Sequence, residues 1–149
     1  ASHKYDQIYT SEQAFFDDLE QMNSIIKAQT GNDASIIRFP GGSSNTVSKD
    51  YCPGIMTQLV NDVTARGLLY CDWNVSSGDA NSKPISTEQV VQNVISGVQS
   101  HNVSVVLQHD IKDFSVNAVE QIIQWGQANG YTFLPLTTSS PMSHHRINN

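Results

Sequence analysis

Helical and β-type patterns alternate strictly along this chain, in the order helix then strand, repeated four times. Each helical stretch carries apolar residues at helical spacing and is followed by a short run typical of a strand. The predicted strands are residues 35–39, 68–73, 103–107 and 131–136. Strict alternation predicts parallel strands joined by right-handed crossovers. Four such strands cannot close a barrel, which needs about eight, so we expect a small open sheet or a cut barrel.

Capping residues predict where the helices begin. Thr10 with Gln13, and Ser86 with Gln89, have the spacing of capping-box pairs and mark the starts of the first and third helices. Ser115 is the predicted cap of the fourth helix. Glycines follow the predicted helix ends, where a left-handed residue is common.

Length and charge limit the function classes. A chain of 149 residues is predicted to form one domain with a sizeable core. Fourteen acidic and eight basic side chains give a net charge of −6, which argues against nucleic acid as a partner. A neutral or weakly charged substrate fits this balance better. Cys52 and Cys71 are read as two thiols or, in an exported protein, as a disulfide.

His109 follows the most apolar predicted strand, at the end of the run Leu107-Gln108-His109. Functional side chains of α/β folds collect at strand ends, and an imidazole titrates in the range useful for acid–base catalysis. A structural histidine hydrogen-bonded at the strand end is the alternative.

Arg38 ends another predicted strand, directly before the turn Pro40-Gly41-Gly42. Its guanidinium could clamp a carboxylate in bidentate fashion, or make only a surface salt bridge. The glycines let the backbone approach a ligand and offer N–H groups to a developing oxyanion.

Trp73 and Asp79 lie on the loop that leaves the second predicted strand. Trp73 could stack on a sugar or serve as a packed anchor. Asp79 could orient a histidine, or cap the turn formed by residues 76–78. Both alternatives stay open for each residue.

Taken in chain order, the block at Arg38, the block at Trp73 and Asp79, and the block at Leu107 and His109 resemble the third, fourth and fifth motifs of the polysaccharide deacetylases, carbohydrate esterase family 4. Residues 1–3 match only the last three positions of the second motif, and the first motif is missing. The resemblance implies an incomplete (β/α) barrel that lacks its first strands here. Residues 1–149 would then be a single, N-terminally truncated catalytic domain.

The resemblance implies hydrolytic removal of acetyl groups from N- or O-acetylated cell-wall or chitin-like polysaccharide. In that family Arg38 would position the catalytic base, and the backbone N–H at Gly41 would help to hold the oxyanion. Asp79 would steer His109, the general acid to the leaving amine. Leu107 would form an apolar wall for the acetyl methyl group, and Trp73 is the predicted sugar-contacting aromatic.

The family uses a divalent metal, expected to be zinc, held by one Asp and two His. His3 would be one of these ligands. Because catalytic metal sites use about three protein ligands, we expect the fragment alone to be inactive. We further expect a bacterial extracellular or cell-surface location, and self-association through an exposed sheet edge.

Two other functions remain open at this point. The chain could be a non-catalytic carbohydrate-binding or scaffold domain on the same fold. It could also be an unrelated flavodoxin-like domain that binds phosphate at Gly41 and Gly42. The deacetylase interpretation requires Arg38, Asp79 and His109 to converge on one hollow.

Overall fold

The computed structural model describes residues 2–81 and 83–149. The chain forms two compact units, one made of Ala1–Asp72 with His144–Asn149 and the other of Trp73–Ser143. Each unit contains one pair of parallel strands. The predicted parallel pairing is therefore confirmed within each unit. None of the helices among the described residues has the length and apolar character required to cross a membrane.

The first unit has three α-helices, two strands and a short 3-10 helix. These are α1 (Tyr5–Ile8), α2 (Glu12–Thr30), β1 (Ile36–Ile37), the 3-10 helix (Val47–Asp50), α3 (Ile55–Ala65) and β2 (Leu69–Tyr70). Strand β1 pairs with β2 in parallel, with Ile36 opposite Leu69 and Ile37 opposite Tyr70. Both strands lie inside the predicted ranges 35–39 and 68–73 but are shorter.

The core of the first unit is apolar and rich in aromatic rings. Its buried side chains are Ile8, Tyr9, Phe15, Phe16, Phe39, Ile55, Met56, Leu59 and Val63. Tyr9 is fully buried, and its hydroxyl donates to the Pro40 carbonyl over 2.8 Å. This bond satisfies the only polar atom of the ring, as buried tyrosines require. It also ties the turn that follows β1 to the end of α1.

Helix α2 begins one residue later than predicted. The Ser11 hydroxyl, and not that of Thr10, accepts the hydrogen bond from the Ala14 N–H over 3.1 Å. Thr10 instead donates its hydroxyl to the Gln7 carbonyl in the last turn of α1, a helix the sequence patterns did not reveal. The glycine after the helix matches the prediction, because Gly31 has the left-handed φ of 77°.

Residues 144–149 belong to the first unit although they lie far from it in sequence. The Asn149 carbonyl accepts the Thr57 N–H over 2.9 Å, and its side-chain oxygen accepts the Gly54 N–H over 2.6 Å. The His144 ring stacks on Tyr70 with 4.1 Å between centroids. Asn149 thereby caps helix α3, whose own N-terminal residue makes no side-chain cap.

The two cysteines of the first unit are separate thiols. Cys71 is buried beside the end of β2, and Cys52 is half-buried. The disulfide left open by the sequence is therefore absent from the described residues, and both side chains act as small apolar groups.

The second unit has two strands and three helices. These are β3 (Val75–Ser76), α4 (Thr87–Val98), β4 (Val106–Leu107), α5 (Asp113–Val116) and α6 (Val119–Ala128). Strand β3 pairs with β4 in parallel, with Val75 opposite Val106 and Ser76 opposite Leu107. Strand β3 was not predicted. A small core forms where α4 meets the segment before α6, around Val90, Val91 and Ala118.

The predicted start of α4 is confirmed. The Ser86 hydroxyl accepts from the Gln89 N–H over 3.1 Å. The Gln89 side chain bonds forward to Asn93 instead of back to Ser86, so only half of the capping box forms. Asn93 in turn donates to the Ser77 carbonyl over 2.8 Å, which attaches α4 to the loop after β3.

Strand β4 occupies only the end of the predicted run 103–107. The Asn74 side chain replaces the missing ladder bonds, donating to the Val103 carbonyl over 2.8 Å and accepting from the Val105 N–H over 2.7 Å. Val103 is 56% exposed and lies outside the strand, so the predicted strand is wrong at this end.

The predicted last strand, residues 131–136, is absent. Leu134 is 80% exposed and Phe133 is 51% exposed. The Tyr131 N–H bonds back to the Gly126 carbonyl of α6 instead of a neighbouring strand. A strand needs a hydrogen-bonding neighbour, and no described residue provides one here.

A substitution at Gly97 measures how tightly helix α4 packs on strand β3. Alanine normally stabilises a helix interior by about 1 kcal/mol relative to glycine. A Cβ at Gly97, however, would lie 2.4 Å from Val75 Cγ1 and 3.3 Å from Val75 Cβ. We expect Gly97→Ala to lower the free energy of unfolding by about 1–3 kcal/mol, the usual cost of overpacking.

Urea unfolding followed by tryptophan fluorescence measures this effect, because both tryptophans, Trp73 and Trp125, lie in the second unit. Ser96→Ala, on the exposed side of the same helix, is the matched control and should leave stability unchanged or slightly higher. A Gly97→Ala chain as stable as the control would contradict the tight contact.

Candidate functional site

Asp79 and His109 form a close pair in the second unit. Asp79 lies in the loop after β3, and His109 lies two residues after β4. Asp79 Oδ1 is 2.8 Å from His109 Nδ1, and Oδ2 accepts the His109 backbone N–H over 2.7 Å. The Asp79 side chain is 1% exposed, whereas the imidazole is 33% exposed. The buried carboxylate therefore holds both the ring and the main chain of a histidine that solvent still reaches.

Three further residues surround Asp79. Ser115 Oγ donates to Oδ2 over 2.6 Å, and the Asp79 N–H donates to Ser77 Oγ over 3.3 Å. The Lys112 ammonium donates to the Asp79 backbone carbonyl. The main-chain and side-chain polar groups of Asp79 are thus all engaged, as a buried polar residue requires.

The pKa of Asp79 reflects a balance of two effects. Burial raises it, but hydrogen bonds from the Ser115 hydroxyl and from the His109 backbone and ring, with a further one from Ser77, outweigh burial and lower the pKa to about 2. Asp79 is therefore ionised across the physiological pH range. The carboxylate contacts His109 and Ser115, as expected if Asp79 orients a histidine.

An ionised carboxylate accepts hydrogen bonds only, so the contact with Asp79 assigns the proton to His109 Nδ1. No described residue hydrogen-bonds the other ring nitrogen, Nε2. The same carboxylate stabilises the imidazolium that forms when Nε2 is protonated. The pair can therefore deliver a proton from Nε2 to a group in the solvent-accessible space beside the ring.

Arg38 lies in the first unit, at the turn after β1. Its Nε donates to the Cys71 carbonyl over 3.0 Å, and Nη2 donates to the Asp72 carbonyl over 3.2 Å. These bonds join the turn after β1 to the end of β2. The side chain is exposed, and its predicted role toward a catalytic base stays a prediction.

Position 41 requires glycine. Its φ is 77°, and a Cβ there would lie 2.7 Å from the Tyr5 hydroxyl and 3.1 Å from Asn45 Cβ. Strain and collision together exclude larger side chains. Gly41 itself is exposed.

His3 is exposed, and its ring centroid lies 5.8 Å from that of Tyr5. It lines a cleft of about 450 Å³ in the first unit, together with Arg38 and Pro40. Among residues 2–81 and 83–149, no three His, Cys, Asp or Glu side chains are placed to hold a metal ion. His3 therefore stays a predicted ligand.

The structure brings some of the predicted site residues together. Asp79 and His109 are in contact, and Leu107 lies two residues before His109 in β4, half-buried. Trp73 is half-buried at the start of the second unit. The predicted convergence of Arg38 with this pair stays a prediction, since Arg38 belongs to the other unit.

Ser115 is the residue that the sequence reading placed wrongly. It is not the cap of the last long helix, because it lies inside the short helix α5, and α6 starts after Ala118. Its buried hydroxyl turns inward to Asp79 instead. Capping motifs and buried carboxylate partners use the same residue types, so spacing alone could not separate these two roles.

Asp79 should make stability depend on pH. A folded-state pKa of about 2, below the value of roughly 4 in an unfolded chain, stabilises the fold above pH ~4. This contribution, about 2 kcal/mol, is lost as the pH falls from ~4 toward ~2. In urea unfolding followed by tryptophan fluorescence, the stability gap between the natural chain and Asp79→Asn should therefore shrink over that interval.

Asp113→Asn removes an exposed carboxylate of the same unit and serves as the control. Its stability difference from the natural chain should change little with pH. A gap for Asp79→Asn that stayed constant between pH ~7 and ~3 would show that the carboxylate is not held in its ionised form.

No protein-family model matches the chain. A peptidoglycan-N-acetylglucosamine deacetylase of Bacillus cereus is 27% identical over 136 residues, which cover 89% of this chain and 46% of that protein. The chain thus spans about half the length of this curated relative. A Streptococcus mutans CE4 esterase is 25% identical with a TM-score of 0.68, over 89% of this chain and 58% of that one.

The catalytic domain of a peptidoglycan N-acetylglucosamine deacetylase from Eubacterium rectale ATCC 33656 has a solved crystal structure that matches the whole chain. The two are 97% identical with a TM-score of 0.99, and the match covers 68% of the solved chain. This agreement confirms the predicted fold class and shows that the flavodoxin-like alternative is wrong. The chain belongs to the polysaccharide deacetylases of carbohydrate esterase family 4.

Proposed function

We propose that this chain is part of a deacetylase that hydrolyses the acetamide of N-acetylglucosamine in peptidoglycan. In this proposal the chain supplies the residues that protonate the leaving sugar amine. The observation that carries the proposal is the 2.8 Å contact between the buried Asp79 carboxylate and His109 Nδ1. The names of two similar proteins, both peptidoglycan N-acetylglucosamine deacetylases, support this substrate over a chitin-like polymer. The neutral sugar also suits a chain of net charge −6.

In the proposed reaction, water adds to the acetamide carbonyl carbon and the carbon–nitrogen bond then breaks. The bonding electron pair goes to the sugar nitrogen, which takes a proton from His109 Nε2. Acetate and a free sugar amine are the products. Asp79 keeps the ring oriented through Nδ1 and stabilises its protonated form.

Three other residues receive supporting roles in this proposal. The backbone N–H of Gly41, an exposed residue, would donate to the oxyanion that forms on the carbonyl. Leu107 would contact the acetyl methyl group, and Trp73 would contact the sugar ring. Arg38 would position the base that accepts the proton of the attacking water.

The family implies a divalent metal that polarises the carbonyl and acidifies the bound water. His3 is the ligand that the resemblance assigns in this chain. The described residues do not include a group of three such ligands. Zinc as the metal, and location at or outside the bacterial surface where peptidoglycan lies, are parts of the proposal.

The test measures acetate release from N-acetylglucosamine oligomers and peptidoglycan in the presence of divalent metal. It uses an extended domain, meaning these 149 residues within a chain as long as the Eubacterium rectale domain. Replacing His109 by Ala should lower kcat about 100-fold or more, because general acid catalysis contributes roughly 10²–10⁴-fold. The 149 residues alone should release no acetate.

His101→Ala is the matched control, because His101 is exposed and its ring contacts the Gly97 carbonyl of the preceding helix α4. This variant should keep full activity. An extended domain that binds the oligomers but releases no acetate would instead support the carbohydrate-binding alternative. A His109→Ala variant as active as the control would remove His109 from the mechanism.

A further inference from the structure

The two oxygens of the Asp79 carboxylate have different partners. Oδ1 faces His109 Nδ1, whereas Oδ2 accepts two hydrogen bonds, from the His109 N–H over 2.7 Å and from Ser115 Oγ over 2.6 Å. A carboxylate with one oxygen held by two donors cannot rotate without breaking both bonds. The donors on Oδ2 therefore determine where Oδ1 lies, and Oδ1 determines where the imidazole lies.

Ser115 is itself held in place. Its residue is fully buried, and its N–H donates to the Lys112 carbonyl over 2.9 Å. Its carbonyl accepts from Gln108 Nε2 over 2.7 Å. Gln108 directly precedes His109, so the segment that carries the histidine also clamps the serine. Because the main chain of Ser115 is held at both its N–H and its carbonyl, its hydroxyl is preorganised to donate to Asp79.

We propose that Ser115 is a positioning residue of the deacetylation reaction, acting through Asp79 to hold His109 with Nε2 available for proton delivery. The expected effect on the reaction rate rests on the proposed function. The positioning of His109 by Ser115 through Asp79 does not. The Ser115 hydroxyl donates to Asp79 Oδ2. Its effect passes through Oδ2 of Asp79, as outer hydrogen bonds orient functional histidines in other sites.

A buried serine can also matter only because it fills space. Three variants separate the two roles in the extended domain. Ser115→Ala removes both the donor and some volume, Ser115→Cys restores the volume with only a weak donor, and Ser115→Thr restores the hydroxyl. Ser48→Ala is the matched control, since Ser48 is equally buried and its hydroxyl pairs with Asn45 and Asn149.

The first readout is nuclear magnetic resonance of the side chains and needs no substrate. Nitrogen-15 shifts should show His109 with its proton on Nδ1 in the natural domain and in Ser115→Thr. Ser115→Ala and Ser115→Cys should show a mixture of the two tautomers. In the same two variants the pKa of Asp79 should rise, because its Ser115 hydrogen bond is lost.

The second readout is steady-state acetate release. Ser115→Ala and Ser115→Cys should lower kcat about tenfold or more with little change in KM, whereas Ser115→Thr and Ser48→Ala should stay near the natural rate. Natural tautomer and rate in Ser115→Ala would overturn the proposal, and so would recovery by Cys instead of Thr. If these variants change the His109 tautomer but the natural extended domain releases no acetate, the proposed function is wrong. The positioning of His109 through Asp79 would then still stand.

Discussion

A charged carboxylate buried in the second unit is the constraint on which its local structure depends. An ionised Asp79 can remain inside the protein only if donors surround it. Those donors come from the loop after β4 and from α5, through His109 and Ser115. Strands β3 and β4 pair over only two residues each. The loops that follow them are therefore joined mainly by hydrogen bonds outside the strands.

The first unit repeats this arrangement with a different aspartate. Asp72 follows β2 and is fully buried, and it accepts the N–H of Ser43 over 2.8 Å and its hydroxyl over 2.5 Å. It also accepts the His145 N–H over 2.9 Å. In both units a buried carboxylate after one strand binds the segment that follows the neighbouring strand. Asp72 binds a serine and a main-chain N–H, whereas Asp79 uses one oxygen to hold a partly exposed imidazole, so the second carboxylate is the one that resembles part of a catalytic site.

Sequence patterns anticipated the parallel strands and the cap at Ser86, because each depends on residues of distinctive type at a known spacing. The pairing of Asp79 with His109 was implied by the resemblance to the polysaccharide deacetylases and left open by the residues alone. They failed where a tertiary partner decided the outcome. Residues 131–136 have strand composition but no described neighbour to pair with, and Ser115 has the composition of a cap but bonds to a carboxylate 36 positions earlier. The role of Asn74 in replacing ladder bonds also left no local signal.

The close approach of Tyr5 to Gly41 limits which residues this family can place at the turn. The Tyr5 hydroxyl occupies the space that any side chain at position 41 would enter. The two positions should therefore covary: a lineage that gains a large residue at the turn must lose the hydroxyl supplied by α1, or shift that helix.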